Sequence, residues 1–489
     1  MEASDSLRVR AARGTMVTAG FEVGLHALSF LKGFVIAAFL TRTEYGLWGI
    51  LVVTIGTLTW LKEVGISEKF VQQKEPDQRA AFQKAFTFDL AANLVLMTLM
   101  LALLPLFALL YDQWELIPPG LVIVATLPAY SLRAPTWIYY RDMRYARQRL
   151  LEAVDPVFAF VVSIACAIAG LGYWSLVIGL FCGAWAAAIV AIAVSPHALR
   201  WRWDAATARS YFSFSWPLFV ASASGLLIPQ VAALAGNAFV GLAGVGALAL
   251  AATISNYTDK VDQVITWTLY PAITRVSDRL DLMFEAFVKT NRLTLMWGLP
   301  FGVGVALFAD DLVGYGIGDE WEPAIGIIQA FGLIAALNHI GFNWSAFYRA
   351  RGDTRPLAVW APIVLAAFLA FALPGMIFWG LDGFAVGMAL MALVSLIVRT
   401  VYLRRLFRGF RMLPHAVRAV APTVPAVAVV LLARLLVDDR NLGIALGELG
   451  LYLAVTAAAT MYLERDLLRE VVGYLGGRKE PAGAEAAPA

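Results

Sequence analysis

Apolar runs of about twenty residues alternate with short polar gaps along nearly the whole chain. An α-helix rises 1.5 Å per residue, so ~20 apolar residues cross ~30 Å of hydrocarbon. The pattern predicts fourteen membrane-spanning helices and no β-structure. The first six cover 15–40, 45–66, 85–111, 116–139, 151–169 and 173–194. The last eight cover 214–236, 244–270, 289–309, 323–348, 357–379, 383–402, 414–436 and 442–463. Two connections, 205–214 and 275–288, mix aromatic and charged residues at helical spacing. They are expected as amphipathic linkers, either ordinary or lying flat in the headgroups.

The gaps differ in charge, and that orients the chain. Lys and Arg gather in alternate gaps: four Arg in 141–149, three in 349–355, five in 404–418. The other gaps are short; two, around 170–172 and 241–243, carry no charge, and one stretch gathers Asp310, Asp311, Asp319, Glu320 and Glu322. Basic residues collect on the cytoplasmic side of polytopic proteins. Both ends are therefore expected in the cytoplasm.

The two halves echo each other at offsets of 198 to 210 residues. Tyr140-Arg141 answers to Tyr348-Arg349, and Gly170-Leu171-Gly172 to Gly380-Leu381-Asp382. Trp114 and Pro118 answer to Trp321 and Pro323, and Trp60–Val64 to Thr258–Asp262. Six spans separate the halves, an even number, so the repeat is parallel. Parallel repeats are related by an axis along the membrane normal and hold substrate between lobes. The expected architecture is all-α and polytopic: 1–13 cytoplasmic, an N-lobe over 14–200, a C-lobe over 201–410, two further helices over 411–463, and a cytoplasmic, partly disordered tail over 464–489.

Composition agrees with a bilayer as solvent: 60% hydrophobic and 15% charged residues, against ~45–50% and ~25% in soluble domains. Cys166 and Cys182 both lie in apolar segments, which argues against a disulfide framework. There is no phosphate-binding glycine loop, no metal-ligand spacing and no nucleophile motif. An enzyme is not expected: a membrane glycosyltransferase or polymerase needs catalytic residues on a sizeable outer loop, and the outer gaps hold about a dozen residues at most.

Ionisable residues inside spans cost ~2.5–3.5 kcal/mol each on insertion scales and usually face a cavity or a partner. Asp259, Lys260 and Asp262 form the sharpest set and point to a polar cavity between lobes. Lys62, Glu63, Asp89 and Arg133 lie near cytoplasmic ends, where mutual neutralisation or snorkelling accounts for them. Glu22 and Lys32 in the first span, Gln230 in the seventh, and Asn338, His339 and Asn343 in the tenth complete the candidates. Histidine is the side chain suited to proton exchange near neutral pH, so His339 is a proton-linked candidate beside its reading as a packing residue.

With those residues in view, the chain resembles the polysaccharide transporter (Wzx-like) family of the multidrug/oligosaccharidyl-lipid/polysaccharide (MOP) flippase superfamily. The resemblance runs from about residue 13 to 463. It rests on Arg13-Gly14, on Thr41-Arg42-Thr43-Glu44-Tyr45-Gly46, on Glu63-Val64-Gly65-Ile66 and on the turn Tyr348–Arg355. It implies two MATE-like six-helix lobes, a bacterial inner-membrane location and a lipid-linked oligosaccharide of the undecaprenyl-diphosphate type as cargo, for lipopolysaccharide, exopolysaccharide or capsule assembly. Lys32, Lys62 and Lys260 would then meet the diphosphate, with Asn338, Asn343 and Gln230 near the sugars. Glu22, Asp259, Asp262 and His339 would be the ion-coupling candidates, with H+ or Na+ as the ion and no other cofactor. Membrane lipids and polysaccharide polymerase machinery are the implied partners; nucleic acid is not, and a monomer suffices. A peptidoglycan-precursor flippase and a MATE-like drug or cation antiporter are the alternatives.

Overall fold

The computed structural model describes residues 20–21, 24–25, 27–60, 66–73, 75–142, 144–212, 227–260, 266, 273–274, 276–353, 355–436 and 440–475. These are overwhelmingly helical, with no strand among the described residues. The N-terminal half supplies α1 (Ala27–Ala37), α2 (Arg42–Trp60), α3 (Gln78–Tyr111), α4 (Trp114–Leu132), α5 (Tyr145–Ile168) and α6 (Trp174–Ala193). The C-terminal half supplies α7 (Leu227–Lys260), α8 (Leu280–Leu307), α9 (Ile325–His339), α10 (Trp344–Ala350) and α11 (Arg355–Leu406). It closes with α12 (Met412–Val420), α13 (Val424–Leu436), α14 (Leu442–Leu463) and α15 (Arg465–Leu475). Among the described residues, eight helices are long and apolar enough to cross a membrane, or ten when two bent pairs are each one span.

Two of the eight are folded on themselves. α7 turns at Gly241 (φ 72°) and α11 at Gly380 (φ 62°), backbone settings that only glycine adopts freely. Around Gly380 the arms run antiparallel, since Gly375 lies against Gly383 and Gly387 against Phe371 and Ala372. A methyl group on any of these glycines would overlap the facing backbone. The sequence places a gap at each turn; the structure reduces that gap to a single left-handed residue.

The halves meet at a two-fold seam. On α2, a side chain at Gly46 would strike the Leu242 carbonyl; on α7, a side chain at Gly246 would strike the Arg42 carbonyl. Gly49 faces Ala249 one turn further along. Each partner stands 200 positions from its counterpart, so the repeat seen in the sequence becomes a backbone-to-backbone crossing. Small residues allow such approach where apolar burial gives no driving force.

The outer turn before α2 is a capping box: the Thr41 amide and hydroxyl donate to Glu44 Oε2 at 2.9 and 3.0 Å, and the Glu44 amide donates to Thr41 Oγ1 at 3.2 Å. The acidic outer turn of the second half closes over it. The Trp321 indole donates to the Ala37 carbonyl at 3.0 Å and its ring meets Tyr45 edge-on at 5.4 Å. The Arg42 amide donates to Glu320 Oε1 at 3.3 Å.

The last helices dock on α8. Phe308, Ala426, Val430 and Tyr452 form a small core there, and the Tyr452 hydroxyl donates to the Pro300 carbonyl at 2.7 Å. Arg434 and Arg440 share Asp311 and Glu448 at 2.6 to 3.2 Å. At the other end Lys289 pairs with Glu470 at 2.5 Å, and Arg292 pairs with the buried Glu464.

Candidate functional site

A cavity of about 620 Å³ lies between α2 on one side and α7, α9 and α11 on the other. It reaches from Tyr45 and Trp48, near the outer turn, to Asp259 and Arg399. Asp259 is eighteen residues from the Gly241 turn, or ~27 Å along the helix. Most of the wall is apolar and soft, with Phe331, Phe384, Met388 and Met391. The polar atoms collect at the inner end.

Arg399 is the cation of that end. It is 7% exposed on the second arm of α11. Its guanidinium donates through Nη1 to the Asn338 backbone carbonyl and through Nη2 to Asn338 Oδ1 at 3.4 Å. One residue of α9 thus holds the arginine by main chain and side chain together. Ser395, one turn away, accepts from the Trp360 indole at 3.0 Å. A guanidinium fixed this way is pre-oriented toward an anion, with its fork already partly ordered.

Asp259 faces Arg399 across the cavity end, with its side chain 37% exposed. His339 stands behind it, fully buried, with Nε2 3.5 Å from Asp259 Oδ1. The two ring nitrogens also approach backbone carbonyls, Ala335 at 2.7 Å and Thr258 at 3.0 Å. His339 therefore ties α9 to α7. Gly298 of α8 makes room for the ring, since any side chain there would overlap the imidazole.

The sequence candidates separate into three groups. Asp259 and Asn338 line the cavity, and His339 supports them from behind. Lys260, Gln230, Asn343 and Lys32 lie elsewhere. Lys260 is partly buried next to Asp259 on the helix and is not part of the wall. Gln230 bridges helices, donating to the Val53 carbonyl at 3.0 Å and accepting from the Tyr111 hydroxyl at 3.4 Å. Asn343 is buried and donates to Thr290 Oγ1 at 2.7 Å. Lys32 is partly buried on α1 and is not part of the wall. Glu22, Lys62 and Asp262 lie outside the described residues.

Two residues that matter were not singled out from the sequence. Arg399 was visible as an arginine within an apolar run, the same signal that marked Lys260. Asp155 on α5 pairs with Arg133 at 2.7 Å. The N-lobe also buries Asp89, whose carboxylate accepts from the Ser131 hydroxyl at 2.5 Å and from Asn93 Nδ2 at 3.0 Å. The neutralisation expected for Arg133 is thus an ion pair, and that for Asp89 is a pair of neutral donors.

Known proteins resemble this chain in sequence and in fold. The succinoglycan biosynthesis transport protein ExoT of Rhizobium meliloti (strain 1021) is 21% identical over 484 residues, covering 95% of this chain and 96% of the relative. The lipid II flippase MurJ in an inward closed conformation superposes with a TM-score of 0.70 at 12% identity, over 94% of this chain and 100% of that one. An inward-facing multidrug resistance MATE family transporter of the MOP superfamily superposes with a TM-score of 0.67 at 13% identity, over 80% and 98%. The chain therefore shares the fold of these two structures. A family model described as polysaccharide biosynthesis protein matches residues 35–326, more than half of the chain. With its helical, multi-pass architecture and its cavity between two related halves, the chain belongs to the polysaccharide biosynthesis protein family.

Proposed function

We propose that this protein moves a lipid-linked oligosaccharide of the undecaprenyl-diphosphate type across the bacterial inner membrane, for exopolysaccharide, lipopolysaccharide or capsule assembly. The observation that carries the reading is the buried Arg399, held by Asn338 at one end of an otherwise apolar cavity between the halves. A diphosphate is an anion that suits a guanidinium fork, and the apolar wall suits the start of a polyprenyl chain. The volume of about 620 Å³ is in the range of a small-molecule site, so in this state it takes the headgroup region, and a longer glycan needs the lobes to part.

Alternating access would proceed about the glycine seam. In this reading the chain crosses the membrane fourteen times with both ends cytoplasmic, each folded helix counting as two spans and α1, α2 and the two bent pairs as one each. Asp259, with His339 behind it, is the proton- or sodium-coupling site of this reading; a monomer suffices, and a polymerase in the same membrane takes the exported product. Deleting the gene and extracting lipid-linked saccharides tests the proposal. Accumulation of a polyprenyl-linked oligosaccharide on the cytoplasmic face, with loss of surface polysaccharide, is the expected result. Normal surface glycan with altered sensitivity to cationic drugs would sink it in favour of an antiporter.

A further inference from the structure

The connection that leaves α6 uses none of the cavity. Residues 195–204 are not helical, and 198–203 read Ala-Leu-Arg-Trp-Arg-Trp. Trp201 is 60% exposed and Trp203 54%, with Arg200 and Arg202 exposed beside them. Two indoles left out of a fold this apolar call for an explanation.

The segment is fastened as a strap. Gln83 Nε2 donates to the Ala198 carbonyl at 3.1 Å, and the Arg202 amide donates to Thr87 Oγ1 at 2.7 Å. The His197 ring lies 6.0 Å from Phe82. All three anchors lie on the first turns of α3, at the start of the apolar stretch read over 85–111: Phe82 and Gln83 just before it and Thr87 in its first turn. The strap therefore runs at the level where the span meets the headgroups, on the basic side of the protein. The helix that follows, 205–212, buries Tyr211 against Phe88 at 5.6 Å and leaves Arg209 and Phe212 exposed.

We infer that this strap is a docking site for anionic phospholipid headgroups of the cytoplasmic leaflet. Indoles prefer the headgroup layer, where the ring is half dehydrated and the N–H stays wet. Arg200, Arg202 and Arg209 have no ion-pair partner among the described residues, so their donors are available to phosphate. Asp204, in the same connection, is engaged elsewhere: it accepts from the Thr207 amide at 3.0 Å and from the Thr207 hydroxyl, and it lies 3.8 Å from Lys84. Basic residues at such a surface each favour anionic lipid. The strap leads from the first lobe to the connection between lobes, so headgroups held here fix the first lobe against the leaflet.

The experiment reconstitutes the full chain in vesicles of phosphatidylcholine containing brominated phosphatidylglycerol or brominated phosphatidylcholine. The fluorescence of the Trp201→Phe/Trp203→Phe protein is subtracted from that of the wild type, which isolates the two indoles. The isolated signal should be quenched by both lipids and more strongly by the anionic one, by up to about fivefold per arginine in local enrichment. Arg200→Gln/Arg202→Gln should abolish that preference while keeping quenching by phosphatidylcholine. Because both arginines are exposed, an unchanged elution profile confirms that this variant is folded. Equal quenching by the two lipids in the wild type overturns the inference. So does an unquenched signal, which would place the indoles in water, where a soluble acidic partner is the occupant to seek.

Discussion

The two lobes descend from one pattern but handle buried charge differently. In the first, charges are settled internally: Arg133 with Asp155, and Asp89 with Ser131 and Asn93. In the second, Arg399 and Asp259 line the cavity, each held from behind by a neighbour, Asn338 and His339 respectively. Duplication supplied the frame twice. The polar chemistry facing the cavity is concentrated in one copy, among the described residues. A charge inside a membrane is thus not by itself a site; what distinguishes the second lobe is that its charges are positioned and still reachable.

The sharpest test concerns the place where the lobes are alike. Gly46→Val and Gly246→Val should each abolish export at normal protein levels in the membrane, because each drives a methyl group into the opposite backbone. Gly447→Ala, with open space around it, is the neutral control. If one seam variant is tolerated, the two-fold crossing is not shared equally. Next, Arg399→Ala should lower export at least about tenfold, a loss of ~1.4 kcal/mol, with Arg399→Lys retaining part of it. Arg133→Ala should instead reduce thermal stability, and pairing it with Asp155→Ala should recover part of the loss, as expected when an unpaired partner is the main penalty. Export that falls with Arg133→Ala at full stability would erase the contrast between lobes.

A third comparison sets one carboxylate against the other. Asp259→Asn should flatten the dependence of transport on an imposed proton or sodium gradient in proteoliposomes, and Asp89→Asn should leave that dependence intact. The smallest effect belongs to Gly298→Ala. It should cost about 1–3 kcal/mol by crowding His339, read as a lower melting temperature. An unchanged melting temperature would mean that the imidazole has room to move.

Much of the frame was legible in the sequence because the bilayer imposes it. Hydrophobic length, basic gaps and the offset between halves fix the helices and the repeat, and the seam residues obey that offset. Turn chemistry was less legible: the gaps at Gly241 and Gly380 looked like short loops, and only φ values of 72° and 62° show single-residue reversals. Of the candidates read from the sequence, Asp259 and Asn338 line the cavity and His339 stands behind Asp259. Lys260 shows the limit: it is one position from Asp259, yet one step along a helix turns a side chain by ~100°. Arg399 needed a partner to be recognised, and Asn338 lies 61 residues away.

The one-residue reversals at Gly241 and Gly380 also bear on how the chain is made. A helical hairpin that reverses at a single glycine, with no loop, leaves the translocation machinery little to push across the membrane between its arms. Residues 227–260 and 355–406 would each slide sideways into lipid as a ready pair, with the second arm cancelling the first arm's exposed backbone carbonyls at the turn. Biogenesis of these segments would then proceed by whole hairpins, and lengthening either tip would turn a single insertion step into two.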